Sequence, residues 1–218
     1  MNNVSPKKLK VAMVHDIVCS WCPIGYNNIK TAINNLNIEV DFQFLPFELN
    51  PDMADSGESI ASYFSRQFAW NERKLLDYQR SLVFSAAKAG VIIDFSKRTH
   101  YYPSKSAHLL MHWAERFNQQ TQLNEYLIKA YFQDGLDINN VGVLLTMAKK
   151  LGFDQKATNA ALISTKLSEE LAEKVTRYKA FHISRIPAFI VDENTLISGS
   201  NSVQYFEEVL SKLSMNYQ

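Results

Sequence analysis

The chain has 218 residues, of which 46% are hydrophobic and 21% are charged. This balance is typical of a globular protein with a sizeable core and excludes a disordered chain. The 23 basic and 22 acidic side chains leave a net charge of +1. No general phosphate-binding surface is indicated, so we expect no nucleic-acid partner.

The first residues superficially resemble a secretory signal, because three lysines precede the apolar run Val11 to Val14. That run ends at His15, which makes it too short for the apolar region of a signal peptide. No apolar stretch approaches the length of a membrane span either. We therefore expect a cytoplasmic protein with no membrane partner, whose cysteines face a reducing glutathione pool.

The only two cysteines lie in the motif Cys19-Ser20-Trp21-Cys22, which follows a strand predicted from Leu9 to Val14. Pro23 and the helical spacing of the apolar residues beyond it predict a helix that begins at this motif. On the first turn of that helix, both sulfurs would lie on one edge, where a disulfide closes with little backbone movement. The helix N-terminus lowers the pKa of the first thiol, so Cys19 would be the nucleophile and Cys22 the resolving thiol.

Two other interpretations of the cysteine pair remain open, namely a structural zinc site and two inert buried thiols. Zinc would need two further ligands from scattered histidines, and no second CxxC motif or paired histidines supply them, so we expect no metal. His108 and His112 stand one helical turn apart, but no glutamate follows His108 as in HExxH. His15 is a candidate for tuning Cys19, since a protonated imidazole nearby would favour the thiolate.

After the first helix, alternating polar and apolar residues from Ile38 to Phe44 predict a second strand with one covered face. Strand, helix and strand within about forty residues favour a right-handed crossover between parallel strands. Helical spacing then dominates as far as a charged helix predicted from Lys166 to Lys179, and three glycines stand where helices would stop.

The C-terminal part predicts two more strands, Ala188 to Val191 and Thr195 to Ile197, joined by a turn at Asp192-Glu193-Asn194. Asn201 or Ser202 can then cap a final amphipathic helix. A strand pair followed by a helix would complete an α/β sandwich with the first half of the chain.

Several motifs along nearly the whole chain resemble the DsbA family of thioredoxin-fold proteins, and within it the cytoplasmic FrnE-like branch. The matching segments, in the family's order, are Asp16-Ile17-Val18-Cys19-Ser20-Trp21-Cys22-Pro23-Ile24-Gly25, Phe47-Glu48-Leu49-Asn50-Pro51-Asp52, Ala107-His108-Leu109-Leu110 with Trp113-Ala114, Ala130-Tyr131-Phe132, Ile186-Pro187-Ala188-Phe189 and Ile197-Ser198-Gly199-Ser200. The resemblance implies an α/β, thioredoxin-like fold with a large all-helical insertion. The thioredoxin-like domain would be split into residues 1–53 and 180–218, and residues 54–179 would form the insertion and a connecting helix.

The resemblance also implies where the substrate binds. Pro187 would take a cis peptide bond after Ile186 and lie beside the dithiol, and Ile186 would offer backbone groups to the substrate chain. Ser20 and Trp21, which lie between the cysteines, would line the same site. His108 matches a family position that would border the groove.

Two residues depart from the family pattern. Family members commonly have Gly-Val before the cis proline, whereas this chain has Ser184-Arg185-Ile186, so a charged Arg185 would lie near the site and could stabilise a thiolate or attract an acidic partner. Pro23 stands where an aromatic residue is frequent and would alter the substrate groove without changing the chemistry.

The leading functional hypothesis is a thiol-disulfide oxidoreductase that exchanges disulfides with protein or small thiol substrates through Cys19 and Cys22. The same scaffold resembles 2-hydroxychromene-2-carboxylate isomerases and kappa-class glutathione transferases, so a glutathione-dependent isomerase or transferase is the first alternative. A non-catalytic peptide-binding or chaperone-like module is the second. We expect no tightly bound cofactor, with glutathione as a candidate co-substrate, and the sequence leaves the oligomeric state open.

Overall fold

The structure is a computed structural model that describes residues 8–178 and 181–215. Its elements in chain order are β1 (Leu9–His15), α1 (Cys22–Leu36), β2 (Val40–Pro46), β3 (Glu58–Ser59), α2 (Ile60–Phe68), α3 (Glu72–Lys88), β4 (His100–Tyr101), α4 (Lys105–Glu115), α5 (Gln120–Phe132), α6 (Val141–Lys150), α7 (Gln155–Leu162), α8 (Thr165–Tyr178), β5 (Ala188–Val191), β6 (Thr195–Ser198) and α9 (Val203–Ser214).

The main sheet joins the two ends of the chain in the strand order β2-β1-β5-β6. β1 pairs in parallel with β2 and antiparallel with β5, so Met13 lies between Phe44 and Phe189. β5 and β6 form the expected antiparallel hairpin, in which Asp192 and Glu193 adopt positive φ. Five of the seven residues of β1 are buried, including Met13, Val14 and His15 in succession, as expected for a central strand covered on both faces.

Helices α1 and α9 pack against each other and cover the sheet with buried residues such as Ile29 and Phe206. Ser202 caps α9, since its side chain accepts a hydrogen bond from the backbone N–H of Tyr205. At the end of α1, Asn37 adopts the left-handed conformation and the N–H of Ile38 donates to the carbonyl of Ile33. Because Ile38 belongs to this helix end, β2 begins at Val40 and not at Ile38 as the alternation predicted.

The insertion contains helices α2 to α8 and one feature that the sequence did not indicate, a two-stranded pairing of β3 with β4. Its strands are two residues long, too short to produce an alternating pattern. The main apolar core runs through the insertion and the sheet and includes Leu110, Leu127 and Met13, and two smaller clusters lie beside it. The thioredoxin-like α/β fold with a helical insertion is therefore confirmed.

The division into residues 1–53, 54–179 and 180–218 stays a prediction, because the core is continuous and the junction at 179–180 lies outside the described residues. The end of the connecting helix predicted at Lys179 lies outside them too, while α8 is described as far as Tyr178. Within the described ranges, no helix has both the length and the apolar character needed to cross a bilayer.

Candidate active site

The dithiol lies in the turn between β1 and α1. The backbone N–H of Cys19 donates to the carbonyl of Asp16 at 3.1 Å, and that of Cys22 donates to the carbonyl of Cys19 at 3.1 Å. Cys22 is the first residue of α1 and Trp21 is its N-cap. The expectation that both cysteines occupy the first helical turn is therefore wrong for Cys19, which precedes the helix in a tight turn. This turn still holds the two sulfurs together at the helix N-terminus.

The two thiols are buried, with Cys19 7% exposed and Cys22 2% exposed. The Cys22 thiol forms a hydrogen bond with the Cys19 sulfur, and together with the N–H groups of Trp21 and Cys22 it lowers the pKa of Cys19 although burial opposes ionisation. Burial, followed by the interaction with Cys19, raises the pKa of Cys22 well above its ordinary value. The pKa values of the two thiols therefore shift in opposite directions, and the interaction with Cys22 contributes most to the lowered pKa of Cys19. The roles of Cys19 as nucleophile and Cys22 as resolving thiol stay predictions.

Asp16 is a fully buried acidic residue three positions before Cys19, and the sequence analysis assigned it no role. Its Oδ1 accepts from the N–H of Val18 at 3.2 Å and its Oδ2 accepts from the N–H of Leu49 at 2.7 Å. The Asp16 carboxyl group therefore orders the dithiol turn and connects it to the segment after β2. Its charge also raises the pKa of both cysteine thiols.

His108 from α4 faces this carboxyl group from the insertion. Its Nε2 lies 3.4 Å from Asp16 Oδ1, and both side chains are buried. The ring of His15 stands edge-on to that of His108 with 5.5 Å between the ring centroids. Burial, together with His108, lowers the pKa of His15 well below its ordinary value, so His15 is neutral near neutral pH. The hypothesis that a protonated His15 favours the Cys19 thiolate is therefore wrong.

Glu48, half-buried next to these groups, extends the site toward α8. The pKa of Glu48 is raised, because burial and the charge of Asp16 outweigh the opposite effect of His108. Glu48 also lines a cavity of about 580 Å³ between the end of β2 and α8, together with Lys105 and Tyr178. Of the acidic and histidine groups described so far, Glu48 is therefore the one that borders this open recess.

Pro187 has the expected cis peptide bond with Ile186 and packs against the first half of α1. A Cβ atom added to Gly25 would lie 2.9 Å from Pro187 Cγ, and the N–H of Gly25 donates to the carbonyl of Trp21 at 3.0 Å. The proline is thus in contact with the helical turn that carries Trp21 and Cys22. Only glycine leaves room for this approach.

The other residues predicted for substrate binding differ in exposure. Trp21 and Ile186 are half-buried, Ser20, Pro23 and His108 are buried, and Arg185 is exposed. Trp21 lies against Tyr78 of α3. Burial raises the pKa of Tyr78, and the hydrogen bond with Trp21 offsets part of this increase. Among the described residues, Arg185 has no ion-pair partner. The role of each in substrate binding stays a prediction.

Arg98, which precedes β4, is a residue at the dithiol turn that the sequence analysis missed. Its Nη2 donates to the carbonyl oxygen of Val18 at 3.1 Å. Phe95 and Tyr101 are close to Arg98 in the chain, but Tyr131 and Phe132 come from the end of α5, so the local sequence does not reveal that Arg98 is enclosed. Asp16 was recognisable in principle, because a charged residue directly after a buried strand is unusual. Among the described residues, no three histidine, cysteine or acidic side chains group as metal ligands.

Comparison with solved structures finds the same architecture in redox proteins. The chain superimposes on the probable DsbA oxidoreductase SCO1869 of Streptomyces coelicolor with a TM-score of 0.86 and 20% identity, covering 94% of this chain and 89% of that one. The cytosolic disulfide reductase DsbM of Pseudomonas aeruginosa, solved with GSH, gives a TM-score of 0.68 and 12% identity over 94% and 99% of the two chains. A 2-hydroxychromene-2-carboxylate isomerase gives 0.65 and 13% over 95% and 97%.

Sequence comparison leads to the same group. The chain is 26% identical over 203 residues to the uncharacterized protein YwbO of Bacillus subtilis, covering 92% of this chain and 95% of YwbO. The family profile described as a DSBA-like thioredoxin domain matches residues 10–211. The chain belongs to the DSBA-like thioredoxin domain family.

Proposed function

We propose that this protein is a thiol-disulfide oxidoreductase that acts on disulfide- or thiol-containing proteins or small molecules through Cys19 and Cys22. The observation that carries the proposal is the arrangement of two buried thiols at the start of α1, where their interaction lowers the pKa of Cys19 while burial raises the pKa of Cys22. A nucleophile must be a thiolate at working pH, and a resolving thiol must stay protonated until the first step is complete. The same arrangement favours both conditions.

In the reductive direction, the Cys19 thiolate attacks one sulfur of the substrate disulfide. The Cys19–substrate bond forms, the substrate S–S bond breaks, and the leaving thiolate takes a proton from solvent. Cys22 then loses its proton and attacks the Cys19 sulfur, which releases the second substrate thiol. The substrate gains two electrons, the enzyme is left with a Cys19–Cys22 disulfide, and two thiols of a reductant such as glutathione restore it. The reverse sequence donates a disulfide.

The surface around Cys19 supplies the contacts for the substrate in this proposal. Trp21 and Ile186 are half-buried next to the dithiol, so each has a face that a bound chain can contact. Pro187 fixes the Ile186 segment against α1. Ser20, Pro23 and His108 are buried and would act by shaping the turn, while the exposed Arg185 would contact an acidic group on the substrate.

We assign the chain to the FrnE-like branch and to the cytoplasm as part of the same proposal, on the strength of the sequence motifs around Cys19 and Pro187. Glutathione is the proposed co-substrate, which is supported by the presence of GSH in the DsbM structure and by the open recess beside Glu48. No tightly bound cofactor and no metal enter the mechanism.

The test is a set of trapping and equilibrium experiments on the purified protein. The parent protein, Cys19→Ser and Cys22→Ser are each mixed with a disulfide-bonded peptide, quenched with acid and examined by mass spectrometry. We expect Cys22→Ser to accumulate a mixed disulfide at Cys19, Cys19→Ser to form none, and the parent to form an intramolecular disulfide. Equilibration of the parent in graded glutathione buffers then gives its reduction potential.

Each alternative has its own signature in these experiments. A stable glutathione adduct on Cys19, with isomerisation of aromatic substrates that survives Cys22→Ser, would replace the proposal by a glutathione-dependent isomerase or transferase. Peptide binding that is unaffected by Cys19→Ala and by the redox state of the pair, without any exchange, would replace it by a non-catalytic binding module.

A further inference from the structure

Arg98 is a fully buried cation at the boundary between the insertion and the dithiol turn. It is 1% exposed, and no carboxylate lies within ion-pair distance of it among the described residues. The guanidinium carbon lies between four aromatic rings, 4.8 Å from the ring centroids of Tyr101 and Tyr131, 4.9 Å from Phe132 and 5.5 Å from Phe95. Burial of a charge without a carboxylate is costly, and four ring faces offset only part of that cost. A residue that serves only to fill this space would be apolar.

The position of the guanidinium is held from the backbone outward. The N–H of Arg98 donates to the carbonyl of Asp94 at 2.8 Å, and the N–H of Asp94 donates to the carbonyl of Phe132 at the end of α5 at 2.8 Å. Gly135 has φ +68°, and a Cβ atom there would lie 2.3 Å from the carbonyl oxygen of Lys97. The segment before Arg98 is therefore packed against the end of α5, and the charge cannot move away from its surroundings at small cost.

The guanidinium makes one hydrogen bond outside the aromatic residues, to the dithiol turn. Nη2 donates to the carbonyl oxygen of Val18 at 3.1 Å, and Val18 is bonded directly to Cys19. Within the same turn, Asp16 accepts from the N–H groups of Val18 and Cys19, and the carbonyl of Cys19 accepts from the N–H of Cys22. The contact with Arg98 is thus the part of the turn's hydrogen bonding that comes from the insertion.

The ring of Tyr101 is one of the four that surround the cation. The pKa of Tyr101, which burial raises, is lowered by Arg98 and raised by Cys19. The same side chain is therefore within electrostatic range of both groups. Because the buried guanidinium is hydrogen-bonded to the residue adjacent to the buried Cys19, its positive charge acts on the sulfur with little screening by solvent.

We propose that Arg98 is a positioning residue for the dithiol, which holds the Val18–Cys19 peptide and places a buried positive charge where it stabilises the Cys19 thiolate over the thiol and over the disulfide. The inference deepens the proposed oxidoreductase function. Because the thiolate occurs only in the reduced protein, this charge stabilises the reduced form and makes the pair more oxidising. Arg98 thereby links the insertion to the redox chemistry of the thioredoxin-like part.

The test compares three variants of the full chain that separate charge from hydrogen bonding. Arg98→Lys keeps the charge, Arg98→Gln keeps a donor for the Val18 carbonyl without charge, and Arg98→Met keeps neither. Leu123→Ala shortens a buried side chain in α5, the helix whose end packs on Arg98, and is the matched control for loss of packing. The readouts are the pH titration of the Cys19 thiolate, followed by its ultraviolet absorbance, and the equilibrium constant with glutathione.

We expect the Cys19 thiolate to form at higher pH in Arg98→Gln and Arg98→Met than in the parent. The equilibrium with glutathione should also shift toward the Cys19–Cys22 disulfide by about tenfold or more, as for removal of a nearby opposite charge. Arg98→Lys and Leu123→Ala should stay within about threefold of the parent, because neither substitution removes a charge near the sulfur and indirect effects between separate sites are small. If the Cys19 thiolate of Arg98→Met forms at the same pH as in the parent, the proposal is overturned. If it forms at the parental pH in Arg98→Gln but at a higher pH in Arg98→Met, the effect comes from the hydrogen bond, and the role of the charge is overturned.

If both neutral variants fail to fold, Arg98→Lys decides alone, and a tenfold or larger shift in that variant would contradict a role for the charge. The thiolate titration needs no turnover, so it separates this inference from the proposed function. A protein that exchanges no disulfides but shows the expected titration shifts would remove the oxidoreductase and leave the role of Arg98 intact.

Discussion

Asp16 and His108 face each other beneath the dithiol, with 3.4 Å between Oδ1 and Nε2, and neither side chain reaches solvent. Asp16 belongs to the turn that carries Cys19, and His108 belongs to α4 of the insertion. The redox pair therefore lies above a polar interior to which both parts of the chain contribute. The two backbone hydrogen bonds that Asp16 accepts keep it in this position.

Replacement of Asp16 by asparagine removes a charge that raises the pKa of both thiols. We expect Asp16→Asn to lower the pKa of Cys19, so its thiolate absorbance should appear at lower pH and the pair should become more oxidising. The variant should also lose about 1.5–3 kcal/mol of stability, because the hydrogen bond from Leu49 to a charged acceptor is lost. Asp41→Asn on the exposed side of β2 is the control. A Cys19 thiolate that forms at the parental pH or at higher pH in Asp16→Asn would contradict the effect assigned to the Asp16 charge.

The hydrogen bond from Cys22 contributes most to the lowered pKa of Cys19, and serine and alanine at position 22 separate this effect from loss of the resolving thiol. Cys22→Ser keeps a donor, so iodoacetamide should still modify Cys19 at a pH below the ordinary thiol range. Cys22→Ala has no donor, and the pH dependence of its alkylation should move toward that of a free cysteine. Rates measured over a pH series by mass spectrometry provide the comparison. Identical profiles for the two variants would mean that the backbone N–H groups lower the pKa without Cys22.

Gly25 is the point at which Pro187 contacts α1. A Cβ atom at this position would lie 2.9 Å from Pro187 Cγ and 3.3 Å from the Ser200 backbone, so Gly25→Ala forces a displacement. We expect a loss of about 1–3 kcal/mol in the free energy of unfolding and reduced exchange activity, because Pro187 moves from the turn that carries the dithiol. Gly142→Ala in α6, where the Cβ would meet only the Asn140 side chain, is the matched control. Equal stability of the two variants in urea would refute this account of Pro187.

Glu115 at the end of α4 forms hydrogen bonds with His112 and with Lys174 of α8, which lower its pKa to about 2 although burial acts in the opposite direction. Its folded-state pKa lies below the ordinary value of 4.5, so its contribution to stability is present above pH 4.5 and is lost as the pH falls toward 2. After allowance for partial solvent screening, we expect Glu115→Gln to lose roughly 1–2 kcal/mol at neutral pH and to converge with the parent near pH 2.

Urea unfolding of the parent and of Glu115→Gln at a series of pH values measures this convergence. Glu173→Gln, which changes an exposed carboxylate on α8, should follow the parent throughout. A constant difference between Glu115→Gln and the parent from neutral to acid pH would show that the contacts of Glu115 do not depend on its charge.

Local patterns were sufficient for much of this protein. The apolar spacing in β1 and α1, the turn at Asp192-Glu193 and the cap at Ser202 involve residues close together in the chain, so their chemistry predicts the backbone directly. The position of β2 was wrong by two residues because the left-handed end of α1 takes up Ile38. The two-residue strands β3 and β4 have no period for a sequence to display.

The sequence by itself determined that the chain carries a CxxC dithiol between a buried strand and a helix, and its spaced motifs determined the family. Only the tertiary structure decided what surrounds the sulfurs. The aromatic residues around Arg98, the approach of His108 to Asp16 and the contact between Pro187 and Gly25 each join segments far apart in the chain. Such contacts depend on how the insertion packs on the sheet, and neither periodicity nor motif spacing contains that geometry.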